Sequence, residues 1–72
     1  MIVTDKIKFK ELNDAIENSG LKRKYICEKL DLSFQALRLK LYGISPFTAK
    51  DIKILKEVLN LSAEDVVNLF LL

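Results

Sequence analysis

Apolar residues recur at helical spacing along the whole chain, and no stretch sustains the two-residue alternation of a half-buried strand. Phe9, Leu12 and Ile16 make one face of a first helix, with Lys10, Glu11, Asp14 and Glu17 on the other. Asn18-Ser19-Gly20 ends it, with Gly20 free to take the left-handed conformation that closes helices. A short second helix runs from Leu21 to Leu30, with Ile26, Cys27 and Leu30 inward, and stops at Asp31-Leu32. Ser33 offers its hydroxyl as the N-cap of a third helix, Phe34 to Tyr42, which Gly43 closes. Leu37 and Leu41, one turn apart, are its inner face.

Pro46 marks Ile44-Ser45-Pro46-Phe47 as the one real loop, because the residue before a proline is turned away from helical geometry. Thr48 with Asp51 three positions on predicts a capped start to a fourth helix, with Ile52, Leu55, Val58 and Leu59 inward. Asn60 is a candidate left-handed terminator, and Ser62 with Asp65 repeats the cap for a fifth helix carrying Val66, Leu69 and Phe70. No repeat or linker interrupts the series. The expectation is an all-α fold, one domain over residues 1–72 built as a compact bundle of about five short helices. Helices this short do not persist alone in water, so mutual packing must hold them.

Composition narrows the chemistry. Half of the 72 residues are apolar and 31% are charged, which is the make-up of a folded globular chain. With one Cys, no intrachain disulfide or multi-cysteine metal site can form. With no His, imidazole catalysis and the common zinc sites are absent. A domain of this size has no room for both a core and a deep substrate cleft. The expectation is therefore not an enzyme: no catalytic residues, no metal, no cofactor and no small-molecule substrate. No run reaches the roughly 20 apolar residues of a membrane span. The start, MIVTDKIKFK, carries charge where a signal peptide is apolar, so no membrane is expected and a reducing cytoplasm fits the unpaired Cys27.

The net charge of +2 is uninformative, but its distribution is not. Residues 21–56 hold nine Lys or Arg against three acids, while residues 57–72 hold three acids and no base. The positive charge therefore sits in the middle of the chain. That middle contains Leu21 to Gly43, LKRKYICEKLDLSFQALRLKLYG. A small residue, Cys27, lies four positions before Asp31, the cap Ser33 two after it, and apolar Leu37 four beyond that. This is a helix-turn-helix spacing over about 21–43, in which a small side chain lets the second helix cross closely over the first. The turn position needs positive φ, which Asp tolerates better than most residues.

With this order of helices, Gly43 closing the third and Leu59-Asn60-Leu61-Ser62 joining the last two, the chain resembles the phage repressor/Cro-like (lambda-repressor-like, XRE-type) DNA-binding family. The likeness covers about Leu21 to Val67, and KLYGISPFTAKDIKILKEVLNLS looks like small regulators of Gram-positive phages. Two positions depart from the family. Lys22 stands where Ser or Thr commonly caps the second helix, and Leu41 stands where many relatives have a Glu of a structural ion pair.

The resemblance implies a transcription regulator of a bacterial cytoplasm, of the kind that sets a phage lysis–lysogeny switch. It places the third helix in the major groove of double-stranded operator DNA. Gln35 and Arg38 are then the candidates for reading bases, by bidentate bonds to adenine and guanine, with Phe34 against a thymine methyl. Lys22, Arg23, Ser33, Lys40 and Tyr42 are candidates for phosphate, with Thr48 and the amides after it at the start of the fourth helix. Blander readings apply elsewhere. Lys50, Lys53 and Lys56 read as a solvated face, Cys27 as a packed small residue, and Glu64-Asp65 as acids favoured at a helix start.

A second reading stays open. The same fold can serve as an antirepressor or modulator that binds a partner phage repressor protein. Phe34, Leu39 and Tyr42 on the third helix are the candidates for that contact, because aromatic and apolar groups anchor protein interfaces. One helix face can bury only some of the run Val66 to Leu72; core packing alone could consume Val66, Leu69 and Phe70, and Phe70, Leu71 and Leu72 are the candidates for an exposed apolar patch suited to a homodimer or a partner.

Overall fold

In the computed structural model, which describes residues 7–72, five helices form where the apolar spacing predicts them. They are α1 (Lys10–Asn18), α2 (Arg23–Leu30), α3 (Phe34–Leu41), α4 (Ala49–Val58) and α5 (Ala63–Leu69), and the described residues include no strand. The Cα radius of gyration is 11.5 Å, close to the roughly 11 Å of a compact chain this long. Of the N-terminal stretch considered above, residues 1–6 lie outside the described residues.

The starts are set by side chains. Ser33 accepts from the Ala36 amide, and Thr48/Asp51 and Ser62/Asp65 form reciprocal capping boxes, with Asp standing in for the more usual Glu. The second helix starts at Arg23 and not at Leu21. Lys22 before it is extended and has no oxygen to offer the first amides, so the helix begins without a side-chain cap.

The ends of α2, α3, α4 and α5 share one device. A left-handed residue follows each helix: Asp31 (φ 59°), Gly43 (81°), Asn60 (57°) and Leu71 (59°). The next amide then reaches back five residues, from Leu32 to Cys27, Ile44 to Leu39, Leu61 to Lys56 and Leu72 to Val67, at 2.9–3.0 Å. This is a Schellman closure, which satisfies carbonyls a helix end would otherwise leave open. Asp31, Gly43 and Asn60 are the residues whose types predict it; Leu71 is a branched residue in the same conformation.

Leu12, Ile16, Ile26, Leu37 and Leu55 are fully enclosed, and Cys27, Leu30, Leu41 and Phe70 complete the core. Val58, Leu59, Val66 and Leu69, expected inward, are half-buried and pack against it. Helix α2 packs on both α3 and α4, and α1 packs on α3. The Phe9 amide bonds to the Leu41 carbonyl at 3.0 Å, tying the start of α1 to the end of α3. Phe9, Phe47 and Phe70, from three distant parts of the chain, cluster: Phe47 meets Phe9 and Phe70 edge to face with centroids 5.1 and 5.2 Å apart, a favourable arrangement of aromatic quadrupoles, and Phe9 and Phe70 are tilted at 6.5 Å.

Candidate functional site

The short turn from Asp31 to Ser33 holds α2 and α3 against each other, and its geometry decides which way α3 faces. Leu37 and Leu41 point into the core, so the opposite side of the helix must face water. Gln35 lies on that side, and Arg38 and Phe34, the latter 60% exposed, flank it nearer the inner face, Phe34 one turn before Leu37. All three residues expected to read bases are thus exposed, in the N-terminal part of α3. Arg38 does not swing freely, because its guanidinium carbon sits 5.4 Å from the centre of the Tyr42 ring, in a cation–π contact one turn along. Leu39 is half-buried and lies outside the core cluster.

The phosphate candidates divide. Lys22 and Ser33 are exposed beside α3, although the Ser33 hydroxyl is already an acceptor for the Ala36 amide. Arg23 is engaged by α1: its Nη2 donates to Asn13 Oδ1 and lies 3.5 Å from Glu17 Oε2. Its charge is thus partly answered within the chain, and it is no free phosphate ligand.

Lys40 is engaged too. Its ammonium lies 2.6 Å from Asp51 Oδ2, donates also to the Pro46 carbonyl at 2.9 Å, and its side chain is only 12% exposed. The pair fastens α3 to α4 and the intervening loop, so the Lys40 ammonium is engaged within the fold. Asp51 explains Thr48 as well. The Thr48 amide donates to the Asp51 carboxylate and its hydroxyl accepts from the Asp51 amide. A carboxylate already holds the N-terminus of α4 where a phosphate was expected, so Thr48 acts as a cap.

Burial pushes the Asp51 carboxyl upward, but the Lys40 hydrogen bond and the Thr48 amide and hydroxyl outweigh it and hold the pKa below its ordinary value. Cys27 behaves oppositely: burial raises its thiol pKa against a smaller lowering by Arg23, which keeps it protonated and inert at neutral pH. Lys50, Lys53 and Lys56 are exposed, as a solvated face should be.

The expected C-terminal apolar patch is also revised. Phe70 is 4% exposed, locked between Phe9 and Phe47, and offers nothing to a partner. Leu71 and Leu72 are exposed, and Leu72 stands with the exposed Ile44 beside an open depression of ≈290 Å³. A larger open depression, ≈490 Å³, flanks α3 itself between Phe34, Leu37, Arg38 and residues of α1 and α2. Periodicity gave no sign of it, since it arises from how three helices meet. Asn13 and Asp51 were likewise invisible as partners, because both act across the fold.

Among the described residues no helix is long and apolar enough to cross a membrane, and no group of three or more His, Cys, Asp or Glu is placed to hold a metal ion. Compared with known proteins, the chain matches no family model, no curated protein and no solved structure.

Proposed function

We propose that the chain is a small helix-turn-helix transcription regulator that binds operator DNA with α3 in the major groove. The observation that carries this reading is the surface of α3, where Gln35, Arg38 and Phe34 are all exposed at the N-terminal half of a capped helix. That half is the part of a recognition helix that reaches base edges. The left-handed Asp31 turn and the resemblance to Cro-like regulators support the same assignment. Exposed Lys22 and Lys24 at the start of α2 add positive charge to the helix-turn-helix. In a two-fold dimer, two copies of α3 about one helical turn apart would enter successive major grooves.

Recovery of bound duplexes from a randomised pool tests the reading. The expected result is a symmetric consensus in which one G position is lost when Arg38→Ala replaces the wild type, while a pool that stays random contradicts it.

One observation favours a second reading, in which the same surface engages a partner repressor protein. Lys40, Arg23 and Thr48 are committed inside the fold, which thins the phosphate-binding set. Phe34 meanwhile stands exposed beside an apolar depression, as interface anchors do.

A further inference from the structure

The depression of ≈490 Å³ beside α3 has an uneven chemistry. Ile7, Phe34, Leu37 and Leu41 make it apolar, and Arg23 and Arg38 also line it. Among the described residues no Asp or Glu lines it. Arg23 has Asn13 and Glu17 as partners, but Arg38 has no carboxylate among the described residues, only the face of Tyr42. Arg38 and Tyr42 both line the depression. Among the described residues, the site thus combines an apolar hollow with an arginine that no carboxylate pairs.

Duplex DNA satisfies only half of this. It offers anions and base edges, but its largest apolar group in the major groove is the thymine methyl, which leaves most of such a hollow unfilled. A polypeptide offers both halves: a Leu, Ile, Phe or Met side chain for the hollow and an adjacent carboxylate for the arginine fork. We propose that this depression is a docking site for a segment of a partner protein that presents an apolar side chain flanked by Asp or Glu. The proposal rests on the partner-binding reading and gives that partner its chemistry. Because it uses Phe34 and Arg38, the docked segment and operator DNA exclude one another.

The test is to pan a displayed library of random dodecapeptides on the full chain and then synthesise the winners. Peptides with an apolar residue close to Asp or Glu should be enriched. They should shift the methyl resonances of Leu37 and Leu41, and bind Arg38→Glu and Phe34→Ala at least about tenfold more weakly, the size of one charge-assisted bond or one buried side chain. Both substitutions fall on exposed positions, so wild-type thermal melts should accompany the loss. Winners that bind both variants as tightly as wild type, with the methyls unmoved, overturn the site while leaving a partner-binding protein. No enrichment over the bare support overturns the docking site and the partner reading together. A specific duplex still bound in that case leaves operator binding alone.

Discussion

The Lys40 ammonium and the Asp51 carboxylate meet at 2.6 Å although the two residues are eleven positions apart. Between them the chain leaves α3, turns at Gly43, passes Pro46 and starts α4. One carboxylate therefore caps α4 through the Thr48 amide and anchors α3 through Lys40. Lys40→Met removes the cation and leaves Asp51 nearly buried with its charge unanswered. The expected cost is about 3 kcal/mol, measured by urea unfolding, because breaking a buried pair strands one ion. Adding Asp51→Asn to Lys40→Met should recover part of that loss. Additive costs would mean the two side chains do not act as a pair.

The same pair gives stability a pH dependence of defined sign. The Asp51 carboxyl lies below its ordinary pKa in the folded chain, so the unfolded state takes up the proton first. The stabilisation is complete above the unfolded value of about 3.9 and is lost as pH falls from there through the depressed folded value. Thermal melts between about pH 6 and pH 2.5 should show this loss in the wild type and a shallower decline in Asp51→Asn. Parallel curves for the two proteins would contradict it.

Two left-handed positions predict opposite outcomes for exchanges between glycine and a side chain. Leu71, at φ 59°, pays the steric cost of a branched residue in that conformation while its closure leaves Leu72 72% exposed. Leu71→Gly should raise stability by roughly 0.5–1 kcal/mol. Gly43, at φ 81°, is already the favoured residue, and an added Cβ would fall 2.6 Å from Lys8 Cδ. Gly43→Ala should lower stability by about 1 kcal/mol or more. Denaturant midpoints of the two variants check both signs.

Leu37 is the hinge between the buried and exposed sides of α3. It is almost fully enclosed against α1 and α2 neighbours of the core, and Leu37→Ala should cost about 2–5 kcal/mol through lost burial and the cavity it leaves. A Leu37→Ala protein as stable as the wild type would mean the helix faces the other way, and with it the assignment of Gln35 and Arg38.

What the sequence made legible was local. The caps Ser33, Thr48 and Ser62, the left-handed Asp31 and Asn60, and the inner residues Leu37 and Leu41 each announce themselves through neighbours within one or two turns. Lys40 and Arg23 did not. A lysine on an amphipathic helix and an arginine at a helix start look the same whether they meet a phosphate, water or a carboxylate brought from elsewhere by the fold. Phe70 failed for the same reason. Its spacing puts it with Val66 and Leu69, but the Phe9 and Phe47 rings that meet it come from elsewhere in the fold, and spacing along α5 carries no record of either.

The central claim is that α3 reads DNA, and a fluorescence-anisotropy titration tests it most directly. The duplex is the intergenic DNA beside the chain's own gene, with random DNA as control, at salt concentrations of about 50 and 200 mM. The account predicts tight binding to one fragment, far weaker binding to random DNA, and a steep loss of affinity at the higher salt as phosphate contacts are screened. Arg38→Ala should weaken that specific complex by about 1–3 kcal/mol while the protein stays folded. Absent binding, or weak binding that ignores sequence and Arg38, would contradict operator recognition and leave the α3 surface to a protein partner.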